Sequence, residues 1–348
     1  MRPVSDLTAP MTPYDALLRV AFHMERARAS TYRVEAFRKA AGIVAQLGLD
    51  ETRARVERHA IGEISGIGTS TATVINEAIR GKVPARLHTL QTETAPLAEG
   101  GADLYEALRG DLHAHSNWSD GGASIDEMVD AAAALGQEWM ALTDHSPRLR
   151  VANGLSAERL THQIEVVADI NAARDDDFRL LTGIEVDILD DGALDQTDDM
   201  LDRLEIVTAS VHSNLKMDRG PMTRRMLTAV SDPRVNVLGH CTGRLVTGGR
   251  GQRPQSRFDP HVVFEACALT GTAVEINSRP ERVDPPDDLI EIARDLGCLF
   301  AIDSDAHAPG QLDFKSLGCE RAEQHGIPAE RIVTTWPVER VLEWASDR

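Results

Sequence analysis

Cysteine is scarce in this chain and never paired at short range: Cys241, Cys267, Cys298 and Cys319 show no Cys-x-x-Cys spacing. That excludes a thiolate knuckle or a disulfide framework, and the apolar or helical neighbours of the last three read as sites for small buried thiols. Also missing is any apolar run near the roughly 20 residues that a bilayer-spanning helix needs. Met1–Asp6 carries no apolar signal core, so the expected location is cytoplasmic, away from a membrane. Positive charge is short as well: 37 Lys and Arg face 55 Asp and Glu, a net charge of −18. Non-specific coating of nucleic acid draws on clustered cations, so that class is excluded for the chain as a whole.

What is present is unevenly distributed. The 348 residues, 42% hydrophobic and 26% charged, suffice for one large domain and a small one. Through Thr92 thirteen Lys and Arg face nine Asp and Glu, a net +4, which leaves −22 for the remainder of a chain whose total is −18. A mildly basic head, residues 1–92, is followed by a linker at 93–109 with Gly100 and Gly101, and by an acidic body at 110–348.

The head reads as helices. Leu17, Leu18, Ala21 and Met24 recur at helical spacing over 14–28, as do Val34, Phe37, Ala41, Val44 and Leu47 over 32–47. In Ile64-Ser-Gly-Ile-Gly-Thr-Ser-Thr-Ala-Thr-Val-Ile75, two glycines flank one apolar residue and open a helix to about Ile79. Gly66 and Gly68 let a phosphate approach the backbone, and the helix start favours an anion. Alone, such a Gly-x-Gly is equally consistent with a simple interhelical turn. With Thr31-Tyr-Arg-Val-Glu-Ala-Phe-Arg-Lys-Ala-Ala41 upstream, the pattern resembles a helix-hairpin-helix and the N-terminal DNA-gripping domain of family X DNA polymerases. Ser70 and Val74 stand where lyase-active members of that family have lysines, so the resemblance does not carry over a lyase role. Head and body leave no room for a polymerase palm, which excludes polymerisation.

The body alternates short apolar runs with helical ones, and the runs end in His, Asp or Glu. Trp139–Thr143 delivers Asp144 and His145; Arg179–Leu189 carries Glu185; Ile206–Val211 ends at His212, and Val235–Gly239 at His240. Ala273–Asn277 precedes a helix near 287–296, and Leu299–Ile302 leads to Asp303-Ser-Asp-Ala-His307. At the front, Gly110-Asp-Leu-His-Ala-His-Ser-Asn-Trp-Ser-Asp-Gly-Gly122 sets His113 and His115 on one face of a strand, with Asp120 in the loop that follows. Ser124-Ile-Asp-Glu127 is a capping box that starts the next helix. Alternation of this kind predicts a parallel sheet or barrel whose strand C-termini share one face. Singly, each polar residue reads as a core histidine, a strand-end carboxylate or a helix cap. Jointly, six histidines and three carboxylates converging there need metal to offset their burial.

The series His113-Ala-His115, Asp120, Thr143-Asp-His145, Gly183-Ile-Glu185, Ser210-Val-His212, Gly239-His240 and Asp305-Ala-His307 resembles the motif set of the polymerase and histidinol phosphatase (PHP) domain. Leu149-Arg-Val-Ala-Asn-Gly154, Val186-Asp-Ile-Leu189 and Thr242-Gly-Arg-Leu245 further resemble PHP domains attached to bacterial family X polymerases. The resemblance implies an α/β fold, a distorted (β/α)7 barrel preceded by a small all-α helix-hairpin-helix domain, and up to three divalent ions. Carried over, His113, His115, Glu185 and Asp305 hold one ion and form the catalytic core; Glu185, His212 and His240 hold a second; Asp120, His145 and His307 hold a third. Cys241 stands where relatives often have proline, and it reads as a neutral exchange in preference to a soft extra ligand. Imidazole and carboxylate suit Zn, Mn or Fe.

Two ions about 3.5–4 Å apart lower the pKa of a bridging water and neutralise the charge developing on a phosphate ester, which makes a hydroxide nucleophile at neutral pH. Arg150, Arg244 and Arg282, each shortly after a site motif, are candidate phosphate clamps, against the common alternative of surface salt bridges. Three functions compete: a metal-dependent phosphoesterase acting on DNA ends, as a 3′-5′ exonuclease or 3′-phosphatase in repair; a small-molecule phosphatase of histidinol-phosphatase type; and a non-catalytic DNA-binding repair accessory. The intact head favours the first, the acidic body the second, and the complete ligand series counts against the third. The oligomeric state is open.

Overall fold

The computed structural model describes residues 10–93, 96–248 and 251–347, so Met1–Asp6 lies outside the described residues. The chain divides into two compact units, a smaller one made of residues up to Leu97 together with 309–311, and a larger one made of 98–308 and 312–348.

The described part of the smaller unit is all helix: α1 (Pro13–Arg26), α2 (Thr31–Glu57), α3 (Thr69–Ile79) and α4 (Ala85–Glu93). Thr12 caps α1 by accepting the Asp15 N–H at 3.1 Å, with Pro13 at the first helical position. Leu17, Val20, Ala21 and Met24 pack with Val34, Phe37, Ala41 and Val44 of α2 and with Val74, Ile75 and Ala78 of α3. The helix expected to end at Leu47 does break at Gly48, where φ is 73° and ψ 164°, but a second helical stretch continues to Glu57. Gly66 has φ +94°, and a Cβ there would meet Ile43 Cδ1 at 2.7 Å, so the turn before α3 requires glycine.

In the larger unit the stretch expected as a linker contains α5 (Ala102–Ala107), and Leu108 is buried. There follow α6 (Ile125–Ala134), β1 (Trp139–Leu142), α7 (Ala157–Ala173), β2 (Arg179–Asp187), α8 (Asp198–Leu201), β3 (Ile206–Ser210), α9 (Arg219–Val230), β4 (Val237–Leu238), α10 (Pro260–Thr270), β5 (Ala273–Asn277), α11 (Asp287–Asp295), β6 (Phe300–Asp303), α12 (Lys315–Gln324) and α13 (Val338–Ser346). The Ser124–Glu127 capping box opens α6, with both of its hydrogen bonds made. Among the described residues no helix is long and apolar enough to cross a membrane.

The six strands form one parallel sheet in the order β1-β2-β3-β4-β5-β6. Its strands are buried along nearly their whole length, as in a sheet covered on both faces. Leu112, Trp139, Ala141, Leu181, Ile206, Val237, Ala273 and Ala301 fill one end of the curled sheet as an apolar plug. The histidines that follow the strands lie toward the other end, where the strands finish.

Seven strands were expected; six form ladders. The seventh place is taken by Ala114, which makes isolated parallel bridges to Leu142 and to Ala306. The reason lies in neighbouring carboxylates. Asp303 accepts the Leu112 N–H at 2.8 Å and Asp111 accepts the His113 N–H at 3.1 Å, so side chains take amides that a ladder would use. The shortness of β4 has the same origin: Asn236 Oδ1 accepts the Val207 N–H at 2.7 Å, and Glu275 accepts the His240 N–H.

Candidate metal centre

Period-two alternation places the site. In β2 the row that begins with Leu181 in the plug reaches Glu185 at the strand end; in β5 the row from Ala273 reaches Glu275 and Asn277; beyond β6 the row from Ala301 reaches Asp303 and Asp305. These rows converge with the histidines that follow the other strands.

All nine expected ligands meet in one cluster centred on Glu185. Its Oε2 lies 3.3 Å from His113 Nε2, 3.6 Å from His115 Nε2 and 2.8 Å from His145 Nδ1. Its Oε1 lies 3.2 Å from His212 Nε2 and 2.8 Å from His240 Nε2. Asp305 Oδ1 is 3.4 Å from His115 Nε2 and 4.0 Å from His113 Nε2. Asp120 Oδ1 is 3.4 Å from His145 Nε2 and 3.3 Å from His307 Nε2. Three groups have donor atoms close enough to share an ion: His115, Asp120, His145 and His307; His113, His115 and Glu185; and His145, Glu185 and His212. His145 is thus shared between two groups, where the resemblance implied one, and His240 and Asp305 fall in none of the three. Asp120, with 30% of its side chain exposed, marks the side on which the cluster opens to solvent.

The donor atoms fit divalent ions better than they fit one another. His113 Nε2, both ring nitrogens of His115, both of His212, His145 Nδ1 and Glu185 Oε2 are buried without a hydrogen-bond partner. Orphaned buried groups of this kind cost free energy that a cation among them removes.

Charge follows the geometry. Burial pushes the Glu185 carboxyl up, but His212, His113 and His145 outweigh it and hold it well below the usual carboxylate range. Burial likewise opposes the charge on Asp305, yet Arg282, His113 and Arg279 keep it strongly acidic. Burial lowers His145, but Glu185 and Asp120 more than reverse this and raise it to about 10. Burial, with Arg282 nearby, brings His240 down to about 3.

These two histidines dictate a pH dependence for metal loading. At about pH 8 the metal-free protein is therefore expected to hold a proton on His145 and none on His240, and an ion at the Asp120–His145–His307 group then displaces the His145 proton. Apparent affinity there is expected to rise with pH toward 10, falling about tenfold per unit below it, with release of about one proton. Zinc titration calorimetry in two buffers of different ionisation heat reads the total proton release, to which His113 and His212 add at the other groups, because burial lowers them but Glu185 helps to raise them above the usual value; identical heats in both buffers would contradict it.

Other residues hold the ligands, and several were not read from sequence. Glu275 Oε1 is 2.6 Å from His113 Nδ1, and Asn277 Nδ2 donates to Asp305 Oδ2 at 3.0 Å. Asp187 Oδ1 accepts the His212 backbone N–H at 3.0 Å. Arg279 Nη1 lies 2.9 Å from His307 Nδ1. Of the three arginines expected as phosphate clamps, Arg282 donates through Nε to Asp305 Oδ2 at 2.9 Å and belongs to the frame of that ligand. Arg244 is turned onto the carbonyls of Val283 and Arg282, at 2.9 and 3.2 Å from its Nε, and fastens that loop instead of facing the cluster. Arg150 is exposed. Cys241 is buried with its Sγ toward Asp284 at 3.8 Å, and burial pushes its thiol up, as expected of a non-ligand.

Residues 111–258 match the family described as the PHP domain. Over 217 residues the chain is 40% identical to the DNA polymerase/3′-5′ exonuclease PolX of Bacillus subtilis, an alignment that covers 62% of this chain and 37% of that protein. It is 28% identical over 239 residues to a probable phosphatase of Aeromonas hydrophila, covering 65% of this chain and 89% of the other. Among solved structures it is similar, at 17% identity and a TM-score of 0.42, to a histidinol phosphate phosphatase of Lactococcus lactis complexed with zinc, L-histidinol and phosphate; the match covers 68% of this chain and 94% of that one. The chain therefore spans well under half the length of the Bacillus relative.

Proposed function

Because the chain carries a PHP domain at 111–258, we propose that it is a metal-dependent hydrolase of phosphate esters. The observation that carries this reading is the concentration of six histidines and three carboxylates around Glu185, with buried donor atoms that no protein group satisfies. We read the two bridges of Ala114 as closing a distorted seven-membered barrel whose open end is this cluster. His113, His115, Glu185 and Asp305 would hold one ion, Glu185, His212 and His240 a second, and Asp120, His145 and His307 a third. When bound, such ions supply an activated water and neutralise charge on the phosphate. The protein's own part is to hold the donors in place: Arg282 and Asn277 fix Asp305, Asp187 fixes the backbone of His212, and the apolar plug closes the other end.

Phosphate esters at DNA ends are the favoured substrate, through 3′-5′ exonuclease or 3′-phosphatase action. Two features support this: the identity shared with a polymerase/exonuclease, and a basic helical unit whose Gly66 turn resembles a helix-hairpin-helix in residue pattern. We assign to that unit, residues 1–92 in the sequence reading, the gripping of a DNA backbone through Gly66 and Gly68. A second reading, a small phosphate monoester, is favoured by a different observation. Beside His212 lies a cleft of about 530 Å³ whose lining sets Asp187, Asp190 and Asp191 beside Arg148, with Arg225 paired to Asp190 at 3.5 Å, an excess of negative charge that disfavours a polyanion.

The two readings separate in one experiment. The zinc- or manganese-loaded protein is given a labelled single strand, a 3′-phosphorylated strand and histidinol phosphate at equal enzyme concentration. DNA-end hydrolysis at least about tenfold faster, per unit kcat/KM, supports the first reading, equal to about 1.4 kcal/mol of transition-state preference. The reverse order supports the second. Hydrolysis of none of the three overturns the enzyme assignment.

A further inference from the structure

Every segment around the sheet ends in an expected ligand except one. The Ala114 segment carries His113 and His115, β1 leads to His145, β2 carries Glu185, β3 leads to His212, β4 to His240 and β6 to Asp305 and His307. Strand β5 leads to none, yet its inward row holds Glu275 and Asn277, which are 0% and 1% exposed.

Glu275 is fully engaged. Its Oε1 faces His113 Nδ1 at 2.6 Å, and its Oε2 accepts from the His240 backbone N–H and from Asn277 Nδ2, the latter at 3.2 Å. Both oxygens are therefore used within the protein, which argues against a direct ligand. An imidazole that donates from Nδ1 presents a lone pair at Nε2. His113 Nε2 does point toward Glu185 Oε2 and Asp305 Oδ1, and no hydrogen bond satisfies it there. The same carboxylate anchors the peptide on which His240 is mounted, so a single side chain touches two of the three expected ligand sets.

We propose that Glu275 is a positioning residue that sets the donor face of His113 and the place of His240, so that two metal positions depend on it together while the Asp120–His145–His307 position does not. The inference rests on the metal-dependent reading above. Glutamine at 275 keeps the shape of the side chain but offers one acceptor oxygen to three donors, so its amide must confront either the His113 ring or the His240 N–H. Confronting the ring favours the other tautomer, which places a proton on Nε2 and removes the donor.

The test uses the full chain, stripped of metal and titrated with Zn²⁺ against a competing chelator, with bound zinc counted by elemental analysis. Wild type is expected to take up several equivalents. Glu275→Gln should lose about 10- to 100-fold in affinity for two of them, the effect of removing an outer partner of a metal-binding histidine, and keep the third. The melting temperature of the metal-free form should stay within a few degrees of wild type. Histidine ¹⁵N NMR of the zinc-loaded wild-type protein should show His113 protonated at Nδ1 and coordinated through Nε2, a measurement that needs no variant. Unchanged zinc affinity in Glu275→Gln, loss of all equivalents alike, or His113 protonated at Nε2 overturns the proposal. Failure of the wild-type protein to bind zinc at all overturns the metal-dependent reading as well, so the two failures are distinguishable.

Discussion

Glu185→Gln is expected to reduce phosphoester hydrolysis by the metal-loaded protein by more than about 10³-fold, beyond the ~10²–10³-fold usual for deleting one preorganised electrostatic group. The excess comes from position. The Glu185 carboxylate lies within 3.6 Å of five imidazole rings, those of His113, His115, His145, His212 and His240. It is the one carboxylate that two ligand sets share, so its neutral isostere weakens both at once. Zinc content, measured on the same preparation, should fall with activity. The charge on His145 should fall too, because after burial Glu185 is the main influence on its pKa; its titration should move down from about 10 toward the ordinary imidazole range. Retained turnover with full zinc content would sink the mechanism. Asp305→Ala is a weaker form of the same test, since Asp305 lies within 4.0 Å of three of the imidazole rings, those of His113, His115 and His307.

The second large effect is thermal. A ligand that binds only the folded state at about 1,000 times its Kd stabilises by ~4.1 kcal/mol, and in a domain of this size each kcal/mol is worth ~2–4 °C. Stripping a single such ion from the centre should therefore lower the melting temperature of the larger unit by about 8–16 °C, and stripping several by more. Scanning calorimetry with and without a chelator reads the shift. The Glu185→Gln variant supplies the control, because a protein that has lost the shared ligand has less to lose to the chelator. A transition that does not move on chelation would leave the orphaned nitrogens around Glu185 without the cation argued for them.

Sequence made the cluster legible for a definite reason. His113 and His115 sit two apart, and His145, Glu185, His212, His240, Asp305 and His307 each stand at or just past an apolar run, so a parallel sheet had to bring them to one end. Glu275 and Asn277 were missed because Ala273-Val-Glu-Ile-Asn277 reads as a core strand, and a carboxylate inside it has no signature of its own until its partners are known. The partners of Arg282 and Arg244 were hidden for the same reason: a guanidinium near a site motif looks alike whether it faces a phosphate, a carboxylate or a carbonyl. Helix α5 was hidden behind the glycines of the supposed linker, where Gly101, at φ 74°, starts the helix it was taken to exclude. The seventh strand that the resemblance implies is reduced to the two bridges of Ala114, because Asp111 and Asp303 take neighbouring amides, which no spacing in the sequence reveals.

Strand order along the sheet follows chain order, and Ala114 is bonded on one side to the first strand and on the other to Ala306, past the last. A growing polypeptide leaves the ribosome from the front, so His113 and His115 emerge long before Asp305 and His307 exist to face them. A chain whose synthesis has not passed His307 cannot offer the complete set of donors. Loading is therefore a late step in the life of the molecule, open to whichever divalent ion the cell supplies to the finished fold, and stray ions have only fragments of the site to capture while translation is under way.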